Sequence, residues 1–395
     1  MDRIDKKIFG TLFFSIFATV TGVGIVVPLL PVYAHHAGAS GFAIGLIFGS
    51  FSLSRTLFLP YFGRLSDRKG RKPLIVPGLL AYALISVFFI ASTSVTSLIV
   101  IRFFQGIASA ALMPVIQAYV GDITPRGREG VTLGFFNLSM FLGLSFGPLI
   151  GGAIRDSWGL QFAFAAMGVL AFAGCLLAYL LLPPTASERI VRASKPPVAW
   201  KSLVLDREII GLFLFRFGYT FGIGILWSFL PVLGDAEHAL SGAAIGSIIM
   251  LGVLLSGIIQ IPMGAVADRL DKRRLIGVGG VFVSLGLAAF EWTGGYAGLA
   301  TVNVIFGIGG GISMAAHMAL AVQKGGRTDS MGSVMAILTV AHSTGMMAGA
   351  LIAGLTMDLI SLRVVFPMGS AMMLGCTLAF FLGFSPRTEA KAESN

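Results

Sequence analysis

Five side chains that carry or can acquire a charge lie inside long apolar stretches of this sequence. They are Arg55, Arg102, Arg216, His317 and His342. An ionisable group is costly within the hydrocarbon of a membrane, so each is a candidate for function by default. Arginine can bind an anion through its five N–H donors, whereas histidine can take up and release a proton near neutral pH. The chemistry that these residue types suggest is non-covalent binding, proton transfer, or both.

The roles of the individual residues stay open at the level of sequence. Gln105 follows Arg102 by about one helical turn, so we expect both on one helix face, acting in substrate binding or proton coupling. For Arg55 and Arg216, anchoring by a long side chain that reaches toward the membrane surface is an equal alternative. Each histidine is either a proton carrier or a packed residue that makes hydrogen bonds. Further candidates for substrate contact are Gln117, Asn137, Tyr219, Trp227, Gln260 and Asn303.

The sequence lacks the motifs of enzymes and of ATP-driven transporters. The chain has no HExxH sequence, no GxxxxGK[ST] loop and no coherent set of paired carboxylates or of Ser, His and Asp, so we expect neither an enzyme nor ATP-driven transport. His35 and His36 are expected in a solvated loop and not in a metal site. Cys175 and Cys376 lie in apolar stretches and are expected to be small apolar fillers. We therefore expect no metal, no cofactor and no disulfide.

The elements that must position these residues are membrane-spanning helices. Hydrophobic residues make up 56% of the 395 residues, charged residues only 12%, and the mean hydropathy is +0.89, whereas soluble domains carry about 25% charged residues. Stretches of about 20 apolar residues can cross a bilayer as helices, and a β-barrel would instead show short alternating segments. Twelve such stretches are predicted, at residues 8–33, 41–63, 73–91, 97–120, 130–154, 159–182, 208–233, 241–266, 275–292, 297–321, 331–357 and 361–384.

The net charge of +10 is distributed as in a membrane protein, which argues against a nucleic-acid partner. If the N-terminus is cytoplasmic, 23 of the 28 Lys and Arg residues fall on the cytoplasmic face, two fall outside and three lie within the spans. This asymmetry follows the positive-inside rule, and a basic surface next to anionic lipid accounts for the charge. We expect a multi-pass protein of the plasma membrane, the inner membrane of a bacterium, with both termini in the cytoplasm.

The second half of the chain repeats the first. GVGIVVPLLPV at 22–32 returns as GIGILWSFLPV at 222–232, and matches continue at an offset of 200 to 202 residues, including Asp156 with Asp358. Six spans return the chain to the same face, so the two copies must be parallel. The predicted architecture is an all-α membrane protein with two pseudo-symmetric six-helix bundles, at 1–182 and 207–395, joined by a cytoplasmic linker at 183–206. We expect a monomer with a substrate site between the bundles, as in rocker-type secondary transporters.

Three motifs resemble those of a known family. The first is the loop after the second span, with Gly63, Asp67, Arg68, Gly70 and Arg71, and its acid and arginine return as Asp268 and Arg269. The second motif is Arg102, Gln105 and Gly106. The third is GLSFGPLIGG at 143–152, with Gly143, Gly147, Pro148, Gly151 and Gly152. In these motifs the chain resembles the major facilitator superfamily over essentially its whole length, and the third motif resembles that of the drug:proton antiporter branch.

The resemblance implies a gating role for the first motif. By analogy with the family, Asp67 would face the start of the helix that begins near Ser330, and Arg71 would pair with Asp122. Both contacts would hold an inner gate shut in one state and break in the other. A basic cytoplasmic loop alone would explain the arginines but not Asp67 and its copy Asp268.

The resemblance also implies proton-coupled export of small lipophilic or amphipathic compounds by alternating access. The glycines of the third motif recur at every fourth residue and allow close helix approach, and a role in packing alone is the alternative. Many drug:proton antiporters carry an acid in their first span, but this chain has none there, so the proton site is not assigned. Three intramembrane arginines leave open a second function, proton-coupled transport of an organic anion or metabolite. A transporter-derived sensor is a third.

Overall fold

The computed structural model describes residues 6–124, 129–183, 203, 205–328 and 330–383, without the side chains of residues 67, 129–131, 133 and 383. Most of the predicted linker at 183–206 lies outside the described residues. Within them, 12 helical spans are long and apolar enough to cross a membrane, and no strand occurs. The predicted all-α architecture with two six-helix halves is therefore confirmed.

The spans follow the predicted stretches closely. The first half contains α1 (Lys6–Val26), α2 (Leu29–His36), α3 (Gly41–Lys69), α4 (Lys72–Ala91), α5 (Val95–Ile123), α6 (Glu129–Trp158) and α7 (Leu160–Leu181). The second half contains α8 (Arg207–Ala236), α9 (Gly242–Arg269), α10 (Lys272–Ala289) with a 3₁₀ turn at Phe290–Trp292, α11 (Gly295–Arg327), α12 (Met331–Leu359) and α13 (Val365–Gly383).

The helices run between two ends of the molecule that differ in charge. At the basic end lie the connections after α3, α5, α9 and α11. Most of the lysines and arginines that lie outside the spans are at this end. At the far end lie the connections 36–41, 91–95, 158–160, 236–242, 292–295 and 359–365. Matching serines cap two of the helices that start at the far end, α3 and α9: Ser40 Oγ accepts the N–H of Ala43, and Ser241 Oγ accepts that of Ala244, both at 3.2 Å.

The first span is interrupted where the two halves differ in sequence. Val27 and Pro28 form a turn between α1 and α2, whereas α8 continues through Ser228 and Pro231. The sequence predicts weakening at Pro31 and Pro231, but the break lies at Pro28. Two prolines within four residues remove the N–H groups of successive turns, whereas the single proline of α8 is accommodated in a continuous helix.

Glycines let the helices of each half pack with their backbones in contact. A Cβ added to Gly106 of α5 would meet Ser54 and the backbone of Phe51 in α3. At the equivalent position in α11, a Cβ on Gly307 would meet the backbone of Gly252 in α9. Close approach of this kind replaces the hydrophobic driving force that helices lack within lipid.

The two halves meet along two equivalent helix pairs, α6 with α9 and α12 with α3. Gly152 of α6 packs on the backbone of Gly242 in α9, and Gly354 of α12 packs on that of Gly41 in α3. The repeat in the sequence thus recurs in the contact between the halves, and the space enclosed by these four helices is where residues of both halves come together.

Candidate functional site

A cavity of about 130 Å³ lies between α6 of the first half and α8, α9 and α11 of the second. Most of its wall is apolar or aromatic, including Phe141 and Trp227, and its polar side chains are Tyr219, Ser256 and Asn303. A largely apolar wall with a few polar groups is typical of sites for small organic molecules.

Three of the predicted contact residues line this cavity, namely Tyr219, Trp227 and Asn303. The ring of Tyr219 stacks on Phe306 with centroids 5.8 Å apart. Gln117, Asn137 and Gln260 are not among the lining residues, and the side chains of Gln117 and Asn137 are exposed. Sequence alone could not separate these groups because it does not determine which face of each helix is turned inward.

Arg55, Arg216 and His342 come together from both halves of the molecule. They lie on α3, α8 and α12 respectively. Arg216 Nη2 is 3.3 Å from His342 Nδ1, and Arg216 Nη1 is 2.9 Å from the sulfur of Met314. Arg55 interacts electrostatically with His342, and its Nε is buried without a hydrogen-bond partner. We call these three residues the central basic cluster.

The central basic cluster adjoins the cavity and has no acidic partner among the described residues. Tyr219, which lines the cavity, interacts with Arg216 one turn away on α8. Within the described part of the chain, no carboxylate forms an ion pair with Arg55 or Arg216. Since a buried charge is stabilised mainly by a partner of opposite sign, this positive region between the halves can accept an anion as its counterion.

Arg102 lies inside the first half and not in the cavity. It is 3% exposed, and its guanidinium carbon is 4.3 Å from the centroid of the Phe51 ring. Its Nε donates to the carbonyl of Ile47 at 3.3 Å, and its Nη1 donates to Oε1 of Gln105 at 2.7 Å. The predicted pair of Arg102 and Gln105 therefore exists, in a position that joins α5 to α3.

Asn303, the counterpart of Arg102 in the repeat, makes an equivalent contact in the second half. Its amide donates to the carbonyl of Ile248 at 2.7 Å, and Ile248 occupies in α9 the position of Ile47 in α3. A hydrogen bond from this position therefore ties together the same two helices in each half. The role of Arg102 in substrate or proton coupling stays a prediction.

The two membrane histidines lie in different surroundings. His317 is 1% exposed, its ring stacks on Phe215 with centroids 5.7 Å apart, and its Nε2 is 2.9 Å from the carbonyl oxygen of Leu212. Its Nδ1 is buried without a partner, which leaves Nε2–H as the donor to that carbonyl. His317 thus has the contacts of a packed residue, whereas His342 belongs to the central basic cluster.

The first motif forms a polar contact at the basic end. Arg71 Nε donates to Asp122 Oδ2 at 3.0 Å, and Arg71 Nη1 donates to Ser66 Oγ at 2.6 Å. Gly70 ends α3 with a φ of 87°, a conformation that glycine adopts without steric cost. These contacts fix the loop against the end of α5.

The other residues of the first motif make fewer described contacts. Arg68 is exposed, as are Asp268 and Arg269 at the end of α9, and the space around Gly63 is open. The side chain of Asp67 lies outside the described residues, so its contact near Ser330 stays a prediction.

The third motif packs α6 on two different neighbours. Gly143, Gly147 and Gly151 face α1, and a Cβ on Gly147 would lie 2.7 Å from Gly24 Cα. Gly152 and the backbone carbonyl of Pro148 instead face α9 in the other half, while the ring of Pro148 lies against Gly24 of α1. One strip of small residues therefore serves packing within the first half and the contact between the halves.

Two acids outside the predicted site join the halves at the far end. Asp156, at the end of α6, accepts hydrogen bonds from the first two backbone N–H groups of α9 at 2.9 and 2.7 Å. Asp358, at the end of α12, accepts the corresponding bonds from α3 at 2.6 and 2.8 Å. A carboxylate is stabilised at a helix N-terminus by the N–H groups and the helix dipole. Their match in the repeat was the sequence signal that could have identified them.

An ionic group adds to the contact at the far end. Asp235 at the end of α8 lies 2.6 Å from His36 Nε2 and 3.5 Å from Arg155 Nη2. The sequence predicts His35 and His36 in a loop, but both lie in the last turn of α2, because the chain resumes a helix after Pro28. Together with Asp156 and Asp358, these residues close the far end of the molecule.

We predict that Asp156→Asn and Asp358→Asn each weaken the closed far end. Asparagine keeps one acceptor oxygen but loses the charge, which costs about 1 kcal/mol, or about fivefold in the population of the closed state. The measurement is the labelling rate of Ile249→Cys, a position on the cavity wall, by a membrane-impermeant maleimide in a cysteine-free background.

Asp271→Asn is the matched control, because Asp271 caps α10 within one half by accepting the N–H of Arg273 at 2.9 Å. Labelling should increase with either far-end variant and stay constant with Asp271→Asn. Unchanged labelling in the double variant would contradict the assigned role of the two acids.

Comparison with known proteins places the chain in a family. The sequence profile described as Major Facilitator Superfamily matches residues 12–237 and 212–395. An uncharacterized MFS-type transporter of Methanocaldococcus jannaschii is 27% identical over 370 residues, 92% of this chain and 94% of that protein. Multidrug resistance protein 2 of Bacillus subtilis strain 168 is 26% identical over 279 residues, 69% of this chain and 70% of that protein.

The fold is shared with solved transporter structures. The crystal structure of the human organic anion transporter MFSD10 superposes with a TM-score of 0.69 at 18% identity, over 96% of this chain and all of the other. The described residues form 12 spans in two halves, and the family profile matches along the chain. These observations indicate the same family. The protein therefore belongs to the major facilitator superfamily of membrane transporters.

Proposed function

We propose that this protein is a proton-coupled secondary transporter that exports small lipophilic or amphipathic compounds by alternating access. The observation that carries the proposal is the largely apolar cavity between the two halves, lined by Phe141 from the first half and by Trp227 and Phe306 from the second. A ligand in this position touches both halves, so its binding can depend on their relative orientation.

The orientation in the membrane follows from charge. We place the basic end in the cytoplasm, because 23 of the 28 Lys and Arg residues then lie on that side. The far end, closed by Asp156, Asp358 and Asp235, is then the outer gate. Export requires this gate to open, and the similarity to a multidrug resistance protein supports outward transport.

His342 is our candidate for the proton site. The charged groups that face it are Arg216 on α8 and Arg55 on α3, which belongs to the other half. A proton on His342 adds a third positive charge to this group, and the resulting repulsion acts between the halves. Protonation would in this way favour one orientation of the halves over the other.

The ion pair of Arg71 with Asp122 at the basic end is our candidate for part of the inner gate, together with Gly63, Asp67 and Arg68 in the last turns of α3. Asp268 and Arg269 would act in the same way in the second half. Gating by this loop requires its contacts to break when the basic end opens.

Flux in proteoliposomes under an imposed pH gradient tests the proposed function. The purified protein should move fluorescent amphipathic compounds against their gradient when the two sides differ in pH, and protonophores should abolish this movement. Absence of flux for all compounds, or flux that is unaffected by the protonophore, would overturn the proposed coupling.

We predict that His342→Gln reduces the stimulation of flux by the pH gradient at least about tenfold. Glutamine keeps a polar side chain but cannot carry a proton. His317→Gln is the control, since His317 lies packed inside the second half. Flux under a pH gradient and downhill flux without one are measured for both. A response of wild-type size in His342→Gln would remove this residue as the proton site.

We predict further that Asp67→Asn abolishes flux with little loss of folded protein. Asp67 is the one acid in residues 63–72, which form the end of α3 and the loop that follows it, so its loss removes the group that the gate requires. Asp271→Asn, in the corresponding loop of the second half, should retain flux. Yield after size-exclusion chromatography and flux are measured together, and normal flux with Asp67→Asn would contradict the gating role.

A further inference from the structure

We infer that the central basic cluster binds the negatively charged group of the transported compound, whose apolar body lies in the adjacent cavity. The substrates are then amphipathic organic anions, such as aromatic carboxylates. This inference rests on the proposed function and names its substrate class. It selects, among the compounds that an apolar cavity accepts, those that carry a negative charge.

The buried arginines differ in their hydrogen-bond partners. Arg102 is fully enclosed, and its guanidinium meets a carbonyl, an amide oxygen and two aromatic rings within its own half. Arg216, by contrast, reaches only a thioether sulfur and an imidazole nitrogen, and Arg55 Nε has no partner. A guanidinium offers five N–H donors and fits a carboxylate with two parallel hydrogen bonds. Among the described residues, Arg102 thus donates to two oxygen acceptors and is covered by two rings, whereas no hydrogen bond from Arg55 or Arg216 to an oxygen occurs, and their N–H groups suit an anionic ligand.

The charge of the surroundings is the second argument. Among the described residues, the groups that interact electrostatically with Arg55 or Arg216 are Tyr82, Tyr219, His317 and His342, and none of them is a carboxylate. The residues that line the cavity include no acid. A cationic compound would meet uncompensated positive charge on entering this region, whereas an anionic one would supply the missing counterion.

The position of the cluster is the third argument. Arg55 belongs to the first half, while Arg216 and His342 belong to the second. Tyr219 lies one turn from Arg216 on α8, interacts with it electrostatically and also lines the cavity, so the cluster and the cavity adjoin at this residue. A carboxylate held between Arg55 and Arg216 would join both halves at the level of the cluster, and the attached aromatic body would reach Phe306 and Trp227.

Binding of three probes with the same apolar body tests the inference. The probes are 2-naphthoate, the neutral 2-naphthamide and the cationic 2-naphthylmethylammonium, titrated calorimetrically into the full-length protein in detergent. We expect 2-naphthoate to bind at least about tenfold more tightly than the other two, since only it can form charge-assisted hydrogen bonds with arginine.

Three variants locate the binding. Arg216→Gln and Arg55→Gln should each weaken the binding of 2-naphthoate by about tenfold or more. Each should change the affinity for 2-naphthamide by less than about twofold. Arg207→Gln is the matched control, because Arg207 lies exposed at the basic end of α8, the helix that carries Arg216. It should leave the binding of all three probes unchanged. If Arg216→Gln does not fold, Arg216→Lys keeps the charge without the planar fork and should give a smaller loss for 2-naphthoate alone.

Other results would overturn the inference. Equal or tighter binding of the amide or the ammonium, or equal weakening of all probes by the arginine variants, would show that the cluster does not select charge. Lack of binding by all three to protein that elutes as a folded species would overturn it as well. The proposed function is judged separately by flux of the amphipathic compounds in proteoliposomes, and it stands if neutral or cationic compounds are moved.

Discussion

In the hydrocarbon core of a bilayer, a polar group that finds no partner within the protein is left without one, since water is absent there. This constraint accounts for the helical spans, whose backbone groups are satisfied internally. It also accounts for the few polar side chains between them. Arg102 is enclosed by a carbonyl, an amide and two rings, and Asn303 donates to a carbonyl on the neighbouring helix. At the far end, outside the hydrocarbon, the exposed carboxylates of Asp156 and Asp358 accept the free N–H groups with which α9 and α3 begin.

The repeat meets this constraint twice with equivalent groups. Asp156 and Asp358 cap corresponding helices across the contact between the halves, and Ser40 and Ser241 cap the same two helices from within. Because each carboxylate lies on one half and its helix N-terminus on the other, the groups that satisfy the backbone also hold the far end closed. The same hydrogen bonds therefore complete the starts of α3 and α9 and connect the two halves at this end.

The differences between the halves lie where a ligand would bind. Arg55 has Ser256 as its counterpart, and Ser256 lies on the wall of the cavity. Pro28 breaks the first span, whereas Ser228 leaves α8 continuous. Trp227, whose counterpart is Val27, also lines the cavity. Equivalent residues thus build the contact between the halves, while the residues that differ give the central region an asymmetric shape and charge. Such asymmetry suits recognition of a ligand that has one charged and one apolar end.

The spans, the parallel halves and the family were all predictable from the sequence. They depend on the length and hydropathy of each segment and on a repeat of about 200 residues, and these are properties of the sequence itself. The sequence predicts weakening at Pro31, but the break lies about one helical turn earlier at Pro28, because the two prolines together interrupt successive turns. The sequence likewise identified Arg55, Arg102 and Arg216 as charges within the membrane, but it treated Arg102 as the leading functional candidate. Only the tertiary structure decided that Arg102 is satisfied inside one half while Arg55 and Arg216 meet His342 between the halves. The number of helical turns between a residue and the membrane surface can be read from the sequence. Which neighbour the side chain faces depends on the packing of helices distant in the chain. That packing determines which arginines keep N–H donors available to a ligand.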